Sequence, residues 1–218
     1  MTYRLTRKQV RAALVVFVVG GVLAAVGIVA YAEHLRSSAT ALINSARDIR
    51  TTADAEREIT ALGKQFGHQF WQESDHLGGD HNYNAQIENV LLSRLGVVEP
   101  TNISLGVTMN DGKLRCITLV MFTGRPPRTP SGVRIQEWFN SDSVSNFHVS
   151  AKDKPWKAAI EFTSAIPDVQ REKAFLLNTK CFVQLGGCKS AQDILPTVWQ
   201  LGAPLGSNLG QGGTDDKF

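Results

Sequence analysis

No C-x-x-C pair occurs among the chain's three cysteines, Cys116, Cys181 and Cys188, which removes both a thioredoxin-type redox centre and a paired-cysteine zinc site. A His-Glu-x-x-His zinc motif and a Gly-x-Ser-x-Gly nucleophile elbow are equally absent. Gly187-Cys188-Lys189-Ser190 ends like a phosphate-binding loop, but Cys188 stands where the glycine before the lysine belongs, so nucleotide binding is not expected. Gly210-Gln211-Gly212 has neither a strand before it nor a helix after it to make a dinucleotide turn. There is no internal repeat.

Charge excludes a further class of partner. The four basic residues of the first segment, Arg4, Arg7, Lys8 and Arg11, come from a total of 23, set against 20 acids that all lie later. The rest of the chain is therefore within one charge of neutrality, and nucleic acid is not an expected partner, because such binding shows as Lys and Arg concentrated on one domain.

What is present is one long apolar run. Ala12 to Ala32 follows the basic segment at the length that spans a bilayer. The bias in basic residues predicts that 1–11 stays cytoplasmic, that 12–32 crosses the inner (cytoplasmic) membrane and contacts lipid, and that the remainder is extracytoplasmic. Ala30-Tyr31-Ala32 also has the small-x-small form that a signal peptidase cuts, which would leave a secreted or periplasmic domain beginning after Ala32. The run exceeds the usual signal-peptide core, so the anchor is the expected outcome. No cysteine stands near its end for lipid attachment. Gly20, Gly21, Ala24 and Ala25 set small residues four apart, a spacing that admits close approach of two such helices in a homodimer.

Beyond the span, residues 33–50 continue without Pro or Gly and are predicted to extend the helix as a stalk. Thr51-Thr52 offers a cap, and Ile59, Leu62 and Phe66 give a short second helix an apolar face that ends at Gly67. Residues 51–201 read as one α+β domain with an antiparallel sheet of about four to six strands, followed by a Gly-rich, disordered tail at 202–218. The clearest strand signal is a hairpin: Ile103, Leu105, Val107 and Met109 alternate with polar or small residues, and Asp111-Gly112 is a preferred two-residue turn. Regular pairing of Met109 with Leu114 would place Leu114, Cys116, Val120 and Phe122 on the core face and Ile117, Leu119 and Met121 on the other. Being apolar on both sides, the return strand should be central. Further strands are predicted at 86–95, 132–139, 146–151 and 157–163, with Trp138, Phe139, Phe147 and Phe162 as core aromatics. A helix should start near Pro167 and run through Val169, Ala174 and Leu177 to Cys181. Cys181 and Cys188 enclose Gly186-Gly187 and are expected to form a disulfide, as an oxidising compartment permits. Cys116, in an apolar strand, reads as a buried small hydrophobe.

Chemistry-bearing residues are sparse. His76, Asp80 and His81, flanked by Asp75 and His68, form a polar stretch from which a divalent metal could be held, giving a metal-dependent hydrolase as one alternative. The spacing fits no established ligand pattern, a solvated loop is the plainer reading, and no cofactor is expected. In Gly124-Arg125-Pro126-Pro127-Arg128-Thr129-Pro130 the prolines favour an extended form, and Arg125, Arg128 and the nearby Arg134 offer fixed charge to an acidic partner or headgroup. A basic start, one long apolar helix, a sheet and a C-terminal cysteine loop resemble the layout of type IV pilins and pseudopilins, which implies a filament subunit as a second alternative. Those proteins carry a Gly-Phe processing site and a Glu five residues into the mature helix, whereas here Arg11-Ala12-Ala13 leads straight into the span. Two helices followed by antiparallel strands are also similar in shape to small outer-membrane assembly lipoproteins, without their lipid-attachment cysteine. The first expectation is a single-pass protein whose extracytoplasmic domain binds another, unknown envelope protein.

Overall fold

The computed structural model describes residues 7–74, 80–124, 131–139, 148–150, 157–163 and 165–201. Within them the chain is α+β. It opens with helix α1 (Arg7–Thr51), 45 residues without interruption and about 67 Å long at 1.5 Å per residue. Its first half is exposed and apolar, while from Leu35 onward one face (Leu35, Ala39, Leu42, Ile43, Ala46, Ile49) is buried. The segment expected to be a stalk is thus also the central helix of the domain. Asp54, rather than the Thr51-Thr52 pair, caps α2 (Ala55–Phe66): its carboxylate accepts the backbone N–H of Arg57 at 3.1 Å, while Thr51 is the last residue of α1. A carboxylate is also the better partner for a helix N-terminus. Gly67, at φ +52°, ends α2.

The sheet has seven strands: β1 (Phe70–Ser74), β2 (Asp80–Glu88), β3 (Thr101–Asn110), β4 (Lys113–Thr123), β5 (Ser131–Trp138), β6 (His148–Ser150) and β7 (Lys157–Thr163), in the spatial order β1-β2-β3-β4-β5-β7-β6. Every neighbouring pair is antiparallel except β5 and β7, so the sheet is mixed rather than purely antiparallel. The strand expected over 86–95 divides: β2 stops at Glu88, and Val90–Arg94 forms a one-turn helix, α3. β2 itself alternates Tyr83, Ala85 and Ile87 with Asn82, Asn84 and Gln86, a half-buried pattern.

The hairpin forms as expected at Asp111-Gly112, both residues having positive φ as a type I′ turn requires. Its return strand is faced the other way. Met109 does pair with Leu114, but Thr108 then pairs with Cys116, leaving Arg115 as an extra residue in a bulge. That one residue reverses the parity of the strand beyond it. Ile117, Leu119 and Met121 pair with Val107, Leu105 and Ile103 on the core face, and Cys116, Val120 and Phe122 look away from it. β4 is central, fourth of seven. On the same outward face the Phe122 ring lies over Gly132 of β5, where an added Cβ would collide with the ring. Gly132→Ala is therefore expected to displace Phe122 and cost about 1–3 kcal/mol in urea unfolding, and Phe122→Leu in the same chain should recover part of the loss.

All described helices pack on the core face with α1. The helix expected from Pro167 to Cys181 is shorter: Pro167 caps α4 (Asp168–Ala174), Val169 is exposed, and the chain turns at Phe175 to pack edge-on against Phe162 at 6.2 Å. A 3-10 turn at Thr179–Phe182 then brings Cys181 to Cys188, and the two are disulfide-bonded with Cα atoms 5.3 Å apart. Gly186 and Gly187 both take positive φ in the closing loop. Helix α5 (Ala191–Ile194), closed by a Ser190/Asp193 capping box, returns to the core. Phe162 is a core aromatic as expected, Phe139 packs at the core margin, and Trp138 is on the opposite face; Phe147 and the 202–218 tail lie outside the described residues.

Candidate functional site

The second face of the sheet is covered by no described helix. Strand alternation sets its composition. Over β2 and β3 it is polar: Asn82, Asn84 and Gln86 face Thr108, Gly106 and Ser104 in register, and Thr108 donates its hydroxyl to Asn82 at 2.8 Å. Over β4, β5 and β7 it is mixed, with Val120, Phe122 and Trp138 beside an Arg134–Glu161 ion pair at 3.3 Å. One cross-strand row runs Trp71, Asn84, Gly106, Thr118, Gln136, Glu161. Trp71, at the β1 end of this row, is 39% exposed and its indole N–H donates to Glu73 at 3.0 Å. Gly106 leaves the centre of the row low, with Asn84 and Thr118 on either side of it. The arrangement suits contact with another surface, polar at one side and mixed apolar and charged at the other. Its local sequence signals are the polar or small positions that alternate along β3, legible in the hairpin, and the polar alternation of β2, which begins inside the stretch expected to be a solvated loop.

On the core face, charge is buried between α1, β5 and α4. Glu137 is fully buried and accepts from Arg171, while Arg50, also buried, places its Nε 3.9 Å from Glu137 and pairs with Glu172. The Arg50 guanidinium lies 5.2 Å from the centre of the Phe175 ring, and Arg47 donates to the Phe175 carbonyl at 3.3 Å. Burial pushes the Glu137 carboxyl above the usual carboxylate range, against the pull of Arg171 and Arg50. Sealed from solvent and held by two guanidiniums, this carboxylate joins the long helix to the sheet and has no access to a substrate.

A second buried polar cluster fixes the C-terminal segment to the opposite end of the sheet. The Asn89 side chain accepts the Thr101 N–H at 2.8 Å and donates to the carbonyls of Glu99 and Phe182 at 2.9 and 3.0 Å. Thr101 donates to the Cys181 carbonyl at 3.3 Å, beside the disulfide.

Cys181 and Cys188 are joined as expected, whereas the metal and interaction-surface candidates are not brought together among the described residues. His76, Arg125 and Arg128 lie outside the described residues. Asp80 and His81 are consecutive in β2, opposite Asn110 and Met109, so their side chains leave opposite faces of the sheet and cannot reach one ion together. Asp80 is engaged by Asn110 and by Arg115 at 2.8 Å. Among the described residues no cluster of three metal-ligating side chains occurs. Arg134 is on the open sheet face, paired with Glu161. Cys116 is buried, and burial raises its thiol pKa, which disfavours the reactive thiolate.

No family model, curated protein or solved structure matches this chain.

Proposed function

We propose that the protein is a single-pass, membrane-anchored component of the cell envelope whose extracytoplasmic domain acts by contact with another envelope protein. The observation that carries this reading is the unbroken passage of α1 from an exposed apolar half into the buried centre of the domain. A helix of about 20 apolar residues has the length to cross a bilayer, and the basic first segment favours retention of that end in the cytoplasm. The Cys181–Cys188 disulfide suits an oxidising compartment. Ala30-Tyr31-Ala32 lies in mid-helix, with Tyr31 and Ala32 half-buried against the core. Cleavage after Ala32 would remove Ile28, Tyr31 and Ala32 from their packing against the core, which favours the anchor over a signal peptide. The broad second sheet face supplies the contact surface.

A photo-crosslinking residue placed at Ser104 or Thr118, on that face, tests the reading in membranes. A discrete adduct with another envelope protein, absent from the exposed control position Lys64, is the expected result. No adduct from either face position would overturn it, and a homodimer adduct would replace the partner with a second copy of the chain.

A further inference from the structure

The direction of α1 relative to the sheet identifies which end of the domain meets the membrane. Thr40 of α1 donates to Thr179 at 3.4 Å, and the turn that begins at Thr179 continues to Cys181 and Phe182, whose carbonyls bond Thr101 and Asn89. Ten residues further along α1, Arg50 reaches Glu137, and beyond α1 the hairpin tip at Gly112 approaches Glu56. The Thr101 end of the sheet therefore faces the N-terminal, apolar half of α1, and the Asp111-Gly112 tip points away from it.

The contacts of the domain reach farther down the helix than a stalk would allow. Ile28, Tyr31 and Ala32 all pack against the core cluster. From Ile28 to Thr40 is about 18 Å along the helix, and from Ile28 to the end of the apolar run at Ala32 about 6 Å. An end of the domain that contacts Ile28 lies below the outer limit of the run, at the depth of about 5–10 Å to which interfacial helices sink. At this same end the chain exposes large apolar side chains. Leu91 and Leu95, in and just after α3, are 49% and 55% exposed, and Leu185, in the disulfide loop, is 77% exposed. Arg94, exposed between Leu91 and Leu95, is a cation suited to headgroup level. These side chains make up an apolar rim at the end of the domain from which the apolar run leaves.

We propose that this rim, made by α3 and the disulfide loop, seats in the outer boundary of the lipid bilayer, so that the domain sits directly on the membrane with Asp111-Gly112 pointing outward. The proposal rests on the anchor reading of α1. It leaves the second sheet face standing across the membrane plane, open to a neighbour in the same bilayer.

Full-length protein in phosphatidylcholine vesicles tests it, with a polarity-sensitive fluorophore attached at one introduced cysteine at a time. Cys116 is buried and Cys181 and Cys188 are bonded, so the introduced thiol is the reactive one. The positions are Leu91→Cys and Leu95→Cys in the rim, Asp111→Cys at the distal tip and Val18→Cys in the apolar run. The expected result is a blue shift and loss of most fluorescence at Leu91 and Leu95 with lipids carrying a shallow nitroxide quencher. Asp111 should remain unquenched, and Val18 should be quenched by a deep nitroxide. Rim positions that behave like Asp111 while Val18 is quenched would overturn the seating and leave the anchor intact. Rim positions that are blue-shifted but untouched by lipid quenchers would assign the rim to a second copy of the chain instead. An unquenched Val18 would remove the anchor reading itself, and the proposal with it.

Discussion

Replacing Arg50 by Met is expected to lower unfolding free energy by about 3 kcal/mol at neutral pH, because it strips one partner from a buried ion cluster and leaves Glu137 less compensated. The effect should depend on pH with a definite sign. Glu137 already has its folded pKa raised by burial, and losing Arg50 removes one of the charges that pull it down. A carboxyl with a folded pKa above its unfolded value contributes stability that is present below the unfolded value and is lost as pH rises through the folded one. The Arg50→Met deficit should therefore be largest near pH 7 and shrink as pH falls toward about 4.3. Urea titrations of both proteins across that range check it, and a deficit that grows on acidification would contradict the buried-cluster account. The triple change Arg50→Met, Arg171→Met and Glu137→Leu should recover much of the loss, since Arg171 is the other partner of Glu137 and an apolar replacement of the whole buried cluster leaves none of the three charges unpaired.

Replacing Asn89 by Leu should cost about 2–4 kcal/mol. The amide serves three backbone groups at once, the Thr101 N–H and the carbonyls of Glu99 and Phe182, and leucine takes its bonds from all three, with only the Glu99 carbonyl keeping a donor in the Thr101 hydroxyl. Asn89→Asp should not rescue, because a carboxylate keeps the acceptor for Thr101 but presents acid to two carbonyls. Hydrogen exchange at Thr101 and the disulfide turn should accelerate first, since Asn89 is the amide that ties Phe182 to the sheet end. A variant with unchanged midpoint and unchanged exchange would show that the C-terminal segment is held by packing alone.

Much of this fold is legible in the residues. The apolar run, the Asp111-Gly112 hairpin, the strand at 157–163 and the cysteine pair around two glycines all carry strong local patterns, and each is present in the structure. The failures have particular causes. Arg115 occupies a bulge, and since side chains alternate with a period of two, one unpaired residue inverts the facing of Cys116 to Phe122. The five residues Val90–Arg94 are apolar enough to extend a strand, yet Asn89 is drawn inward to bond Thr101, and the chain turns there. α4 ends early because Phe175 is taken into the core against Phe162. The candidate surface is harder to read than the fold, because it is a property of register. Trp71, Asn84 and Gly106 are far apart in sequence and become one row only when three strands pair. The His76, Asp80 and His81 pattern, by contrast, looks like a cluster in sequence, but Asp80 and His81 point to opposite faces once β2 forms.

The anchor reading requires α1 to remain one continuous helix joining membrane and domain. Intact mass of the protein extracted from membranes, measured with and without reductant, tests this most directly. The expected result is an uncut chain of 218 residues, with a gain of about two daltons on reduction of Cys181–Cys188. A mature chain that begins at Glu33 would contradict it, because the turn that joins the apolar run to the domain would then be cut.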